Sequence, residues 1–428
     1  MTASRPLRIA YLVWRFPVSS ESFVVNEVCG AAERGHDVTV LALSQPADAP
    51  TRNEDVDRMG LAGRILPLAL SGGLAGVLTL GRVAWCGRAV LPRVARLADM
   101  RRFGRAGFKA KLLHQGIRLA ELPPFDVLHC QFGTLGLLGW RLRACGLLSG
   151  RLVATFRGYD ASRFVREHGP EVYRGLFADG DHFLTNCAFF RDKLVGLGCD
   201  PARLSVQRSG IDTERFAFTP RRMPESGDVV IATVGRLVEK KGVADCLRAI
   251  AETARTHPRV AYRIVGDGPL RNGLEALARE LGVGDRVTFL GAGDQRKVIE
   301  TLDAAHLFLA PSVTAADGDQ DAPINVLKEA MAMGLPVIST VHGGIPELVV
   351  DGASGRLVPE RDPAALAAAI RELLARAQDW PRIGAVGRAR VEAEYDKNRL
   401  NDQLDRLYRR LAGQGRGAGK PLLTAGAA

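Results

Sequence analysis

Short runs of consecutive apolar residues recur along this chain with helix-length amphipathic segments between them, and the series occurs twice. The first half holds Leu7–Val13, Asp37–Leu43, Asp126–Gln131, Leu152–Phe156 and His182–Asn186. The second half holds Val229–Gly235, Val260–Gly266, Arg286–Leu290, Leu307–Ala310 and Pro336–Ser339. Runs of this kind are parallel strands covered on both faces, and the helical segments are the crossovers that such strands require. In the helix after Lys241, the residues Val243, Cys246, Leu247 and Ile250 follow the i, i+3, i+4, i+7 spacing of one buried face. The pattern predicts a doubly wound α/β fold, made twice.

Length agrees, since single cores usually stop growing at about 250–300 residues and this chain has 428. Between Phe218 and Asp228 the stretch TPRRMPESG is rich in Pro and Arg and poor in apolar residues, as a linker is. The expected division is therefore a first lobe over 1–218, a linker over 219–228, a second lobe over 229–394 and a C-terminal segment over 395–428. The segment Trp380–Leu411 is helical by pattern and is expected to return the chain to the first lobe, before a frayed tail from Gly413. The apolar stretch Ile65–Leu80 is short and is interrupted by Pro67 and Ser71-Gly72-Gly73, so buried helices are expected there and not a membrane span.

The seven cysteines are scattered and show neither CxxC nor Cys/His metal spacing, which predicts reduced, buried thiols and no metal site. The opening MTASRPLRIAYLVW enters a strand without a signal-peptide pattern, and a cytoplasmic protein is expected. A formal charge of +11 favours anionic partners without selecting one, and nucleic acid is not expected because no recognised reader accompanies the basic residues.

Chemistry concentrates at strand ends in the second half. In Ala322-Pro323-Ile324-Asn325-Val326-Leu327-Lys328-Glu329 a proline suited to a first helical turn predicts a helix start at Ile324, Asn325 and Val326. Its N–H groups would face the loop that ends in Asp321, and a helix start is a ready anion site. Asp321 and Glu329 would flank that site and accept hydrogen bonds from hydroxyl groups. After Val229–Val234, the residues Gly235, Arg236 and Lys241 combine close backbone approach with fixed positive charge, which suits phosphate. Gly266 in VGDGP, Gly291 in RVTFLG and the turn His342-Gly343-Gly344-Ile345-Pro346-Glu347 follow further strands. Any one such glycine is explained by a tight turn; four turns on one sheet edge are better explained by a shared ligand.

GRLVEKKG, VGDGP, RVTFLG, APINVLKEAMAMGLPVIST and HGGIPELV resemble the donor lobe of retaining glycosyltransferases of family 4 type with the glycosyltransferase-B fold. Arg15-Phe16-Pro17 followed by Ser20-Glu21-Ser22-Phe23 is similar to the opening loop of the exopolysaccharide and colanic-acid group. The resemblance implies two Rossmann-like lobes with a cleft between them. It assigns Arg236 and Lys241 to the diphosphate of a nucleoside diphosphate sugar, Glu329 to the ribose and Asp321 to the transferred sugar. The family usually carries Glu where this chain has Asp321, with the same spacing to Glu329. In the first lobe Val127-Leu128-His129-Cys130-Gln131-Phe132-Gly133 resembles a His-x-His-Phe-Gly turn with Gln131 for the second His. That makes His129 a catalytic candidate and places Gln131, Ser22 and Phe23 on the acceptor side. Phe156-Arg157-Gly158-Tyr159-Asp160 resembles a His-Gly-x-Asp turn with Arg157 for His, an electrostatic group that cannot act as a base at neutral pH.

The expected reaction is transfer of a sugar from its nucleotide to a hydroxyl of a glycan or lipid-linked saccharide in surface polysaccharide biosynthesis. Retention of configuration is expected, with no metal and no cofactor. Segment Arg82–Arg118 carries ten Lys/Arg against the single acid Asp99, interleaved with apolar residues. It reads equally as a face for anionic lipid, suited to a polyprenyl-linked acceptor at the inner face of the membrane, or as a solvated helix face. Rival readings are an epimerase or phosphorylase on the same lobes and a non-catalytic partner in a polysaccharide complex. Oligomeric state, base and sugar stay open.

Overall fold

The computed structural model describes residues 5–18, 21–44, 53–68, 119, 122–322 and 324–414. The chain forms two compact units, one of Met1–Thr155, Gly175–Phe183 and Asn401–Ala428, the other of Phe156–Arg174 and Leu184–Leu400. Residues 219–228 fall inside the second unit.

The first sheet contains β1 (Arg8–Val13), β2 (Asp37–Ala42), β3 (Ile65–Pro67), β4 (Val127–Gln131), β5 (Arg151–Phe156), β6 (His182–Thr185) and β7 (Leu204–Val206), in the order β3-β2-β1-β4-β5-β6-β7. β1 pairs in parallel with β2 on one side and β4 on the other. Helices here are α1 (Ser22–Glu33), α2 (Glu54–Arg58), α3 (Gly133–Ala144), α4 (Arg163–His168), α5 (Arg174–Asp179) and α6 (Ala188–Gly196). The five apolar runs expected as strands are strands. β3 and β7 were not expected: at three residues each they are too short to show a run or an alternation. Ile65–Pro67, expected in a buried helix, instead pairs with Val40–Ala42 as an edge strand. Leu68 follows it, buried, and residues 69–80 and the basic segment Arg82–Arg118 lie outside the described residues.

The second sheet contains β8 (Val229–Val234), β9 (Val260–Val265), β10 (Val287–Gly291), β11 (Leu307–Ala310), β12 (Val337–Thr340) and β13 (Gly355–Val358), in the order β10-β9-β8-β11-β12-β13. Every pairing is parallel. Side chains alternate between two cores, as the two-residue period of a strand requires. Val229, Ile231, Leu307, Leu309 and Ile338 enter one; Val230, Ala232, Phe308, Ala310 and Val337 enter the other.

α7 (Val243–Ala254), α8 (Arg271–Glu280) and α11 (Pro363–Ala375) cover the first of these cores, with Val243, Cys246, Leu247 and Ile250 buried on one face as their spacing predicts. α9 (Gln295–Asp303) and α10 (Asn325–Ala332) cover the second. The expected helix over Trp380–Leu411 is two helices, α12 (Trp380–Tyr395) and α13 (Lys397–Gly413), interrupted at Asp396, whose extended backbone bridges to Ile211. From Asn401 onward α13 counts with the first unit. No helix among the described residues is long and apolar enough to cross a membrane. Among the described residues, Cys29, Cys130, Cys145, Cys187, Cys199 and Cys246 are buried free thiols.

Candidate functional site

In the second sheet the strand order reverses between β8 and β11, and open α/β sheets bind ligands beyond the carboxyl ends of the strands at such a point. The turns there approach closely. Gly235 N–H donates to Val265 O and Gly266 N–H to Gly291 O, both at 2.9 Å. A Cβ on Gly266 would lie 1.8 Å from Gly235 O, and its φ of +149° is one that L side chains rarely adopt, so glycine is required. Arg236 stands exposed on this edge, while Lys240 and Lys241 are partly buried in the same turn.

The loop after β11 brings Asp321 to these lysines. Lys241 Nζ donates to Asp321 Oδ2 at 2.7 Å, and Ser312 Oγ donates to the same oxygen at 2.9 Å. Lys240 Nζ lies 3.3 Å from Asp321 Oδ1 and 2.8 Å from Asp319 Oδ2. Burial alone would raise the Asp321 carboxyl, but the Lys241 and Lys240 ammonium groups outweigh it and hold it well below the usual carboxylate range. Burial likewise acts to lower Lys240, and Asp321 and Asp319 reverse it, leaving that ammonium raised.

The backbone of Asp321 is fixed separately. Its N–H donates to His342 Nε2 at 2.9 Å, so that nitrogen carries no proton; Nδ1 therefore bears it and donates to Glu360 Oε1 at 2.6 Å. Glu360 also accepts from Thr314 N–H at 2.7 Å, tying both ends of the loop to one carboxylate. Gly343, at φ +51°, lies so close that a Cβ would come within 2.2 Å of Asp321 O. Lys240, Ser312, His342 and Glu360 were not expected as site residues. Only the adjacency of two lysines and a histidine before two glycines hinted at the first and third.

α10 starts at Asn325, with Ile324 extended before it and offering no side-chain cap. Glu329 keeps part of its surface open, and among the described residues no side chain or backbone group donates to its carboxyl. Burial pushes that carboxyl up to about 7, with the Lys328 ammonium only partly offsetting it. Lys328 itself is buried, and burial pulls its ammonium down to about 7. It donates to Ser209 O at 2.8 Å and Asn325 Oδ1 at 3.0 Å and lies over the Tyr395 ring. Arg157 is buried too and donates through Nη1 to the hydroxyl of the same Ser209 at 2.7 Å. The Arg157 turn is shaped by Asp160, which accepts the N–H groups of Arg157 and Gly158. Glu347 has another task, accepting the N–H groups of Ala188 and Phe189 at the start of α6.

The first-unit candidates are placed differently. His129 is fully buried: Nδ1 lies 2.5 Å from Tyr408 Oη and Nε2 lies 2.7 Å from Thr155 Oγ1. Both ring nitrogens are thus occupied within the core. Gln131, equally buried, donates to Glu27 Oε2 at 2.7 Å. Ser22 and Phe23 open α1 with partial exposure, and Phe23 meets Phe132 edge to face. Asp321, Lys241, Gly235, Gly266 and Gly291 come together at one sheet edge, with Arg236 on the same turn. Glu329, Ile324, Asn325, Val326 and Arg157 belong to the same unit, whereas His129, Gln131, Ser22 and Phe23 belong to the other.

A family model described as Glycosyltransferase Family 4 matches residues 20–215, and one described as Glycosyl transferases group 1 matches residues 217–389. The amylovoran biosynthesis glycosyltransferase AmsK of Erwinia amylovora is 34% identical over 95% of this chain and 100% of its own length. WcaL of Escherichia coli K12, whose name refers to colanic acid biosynthesis, is likewise 34% identical over 95% of this chain and 100% of its own. Among solved structures, Anabaena HepE in complex with UDP-glucose superposes with a TM-score of 0.68 at 18% identity, over 94% of this chain and 100% of that one. With two models consecutive along its sequence and relatives matched end to end, the chain belongs to the group 1, family 4 glycosyltransferases and has the glycosyltransferase-B fold.

Proposed function

We propose that the protein transfers a glycosyl group, with retention, from a nucleoside diphosphate sugar to a hydroxyl of a glycan or lipid-linked saccharide, in assembly of a surface polysaccharide. The observation that carries this is the presence, in one unit, of a cationic strand-end turn and of a carboxyl to which none of the described residues donates. Lys241, Lys240 and Arg236 offer positive charge beside β8, and Glu329 on α10 awaits hydroxyl donors. The start of α10 at Ile324, Asn325 and Val326 and the backbone at Gly235, Gly266 and Gly291 complete the donor side. Stabilising the leaving diphosphate is the largest catalytic effect such a site has to supply. Fixed cations and a helix start supply it here without a metal or a further cofactor. We assign electrostatic support to Arg157, and acceptor binding to Ser22 and Phe23. Attack on the donor's own face, with a donor phosphate oxygen taking the acceptor proton, needs no protein base and so agrees with the engagement of both His129 nitrogens.

The names of AmsK and WcaL support an exopolysaccharide product, and the UDP-glucose held by HepE supports a nucleotide-sugar donor. Calorimetry with a panel of nucleoside diphosphates and their sugars tests the donor. Arg236→Ala and Lys241→Ala should each cost about 1.5–3 kcal/mol of affinity, and chelator should leave turnover intact. Unchanged affinity in both variants would remove the assignment. Attachment to the inner face of an anionic membrane through Arg82–Arg118 is the companion proposal, resting on its charge run. Equal sedimentation with neutral and anionic vesicles would overturn it.

A further inference from the structure

Asp321 occupies the position that resemblance gives to the transferred sugar, yet its surroundings point elsewhere. Its side chain is 7% exposed, against 17% for Lys241. Of this pair the lysine side chain is the more open to a ligand and the carboxylate the more enclosed. Two lysines and the Ser312 hydroxyl already face its two oxygens. The backbone that carries it is held by His342 and pressed against Gly343, so the carboxylate cannot advance without dismantling that packing. A glutamate would have one more methylene with which to pass the lysines; this aspartate stops at them.

We infer that Asp321 acts on the donor through Lys241, as the counter-ion that holds the Lys241 ammonium, with Lys240 behind it, in place for the diphosphate. This rests on the donor reading above and assigns Asp321 a positioning role in place of a sugar contact. An ammonium has three donors, so Lys241 can keep Asp321 while giving a second hydrogen bond to a phosphate oxygen. Without the carboxylate, Lys240 and Lys241 would repel one another in the same turn, and Lys241 would leave its position.

The test is a double-mutant cycle read by calorimetry with free UDP, GDP and ADP, which carry no sugar for Asp321 to touch. Whichever of these the unaltered protein binds serves as the probe. Asp321→Asn should weaken it about tenfold, as loss of a well-placed charged hydrogen bond does. Lys241→Met should weaken it similarly, and the double variant should be little worse than either, because the two act as one unit. Asp321→Glu, which keeps the charge, should retain most of the affinity. Asp321→Asn binding the free diphosphate as the unaltered protein does would overturn the inference, and so would effects that multiply in the double variant. If Asp321→Asn does not fold, the comparison of Asp321→Glu with Lys241→Met decides: a glutamate variant as weak as Lys241→Met overturns it. No binding of any nucleoside diphosphate by the unaltered protein would instead reject the donor reading itself.

Discussion

Glu329 and Glu347 are both glutamates of the second unit, and their donors set them apart. Glu347 takes two N–H groups at the start of α6 and is committed to the fold. Glu329 takes none among the described residues, and burial raises its carboxyl to about 7. Ribose hydroxyls that donate to it favour its ionised form, so below about pH 7 nucleotide binding must expel a proton. The sign follows: the contribution of Glu329 to affinity is present above pH 7 and is lost as pH falls. We predict that affinity for the free nucleoside diphosphate drops between pH 8 and 6.5 by several-fold more in the unaltered protein than in Glu329→Gln. A full proton costs about 1.4 kcal/mol for each pH unit below the folded value. Parallel profiles, measured by calorimetry, would show that the carboxyl takes no part.

At the level of elements, α10 owes its setting to an unusual residue. Lys328 is buried and bonded to neutral acceptors, and burial, which the nearby Glu329 carboxyl does not offset, lowers its ammonium from 10.5 to about 7. Between these values the unfolded chain binds the proton that the folded one refuses, so stability rises with pH across this window and the gain is lost as pH falls to 7. Urea unfolding from pH 7.5 to 9.5 should show that rise, and Lys328→Met should flatten it; an unchanged slope in the variant would mean the lysine is hydrated. The sequence reading of this element was half right for a physical reason. A helix after Asp321 was legible from its pattern, and Glu329 from its spacing. The tasks of Lys328 and His342 were not, because their partners Ser209 and Glu360 share no local pattern with them. The same limit hid β3 and β7, whose three residues carry no period, while the four apolar positions of α7 fixed its buried face outright.

For the whole molecule, the decisive distance is along the chain. Tyr408 Oη reaches His129 across 279 positions of sequence and also lies 3.0 Å from Tyr11 Oη. Asp405 on the same helix meets His36 at 2.6 Å. Helix α13 thus completes the core of its first unit, and both nitrogens of a histidine that motif resemblance marks as catalytic have partners there. This separates two outcomes for Tyr408→Phe. Removing one buried hydroxyl leaves a His129 nitrogen without its partner, which should cost about 1–3 kcal/mol. In a unit of this size each kcal/mol lowers the unfolding midpoint by about 2–4 °C. Tyr408→Ala adds a cavity to that loss and should cost about 3–5 kcal/mol or more, the range for deleting a buried aromatic. In both variants, assayed well below the midpoint, turnover of the folded protein should stay near that of the unaltered enzyme, because the ring being supported is part of the core. Differential scanning calorimetry beside steady-state rates reads both quantities. A Tyr408→Phe protein with unaltered stability and collapsed turnover would return His129 to the chemistry and sink the packing role.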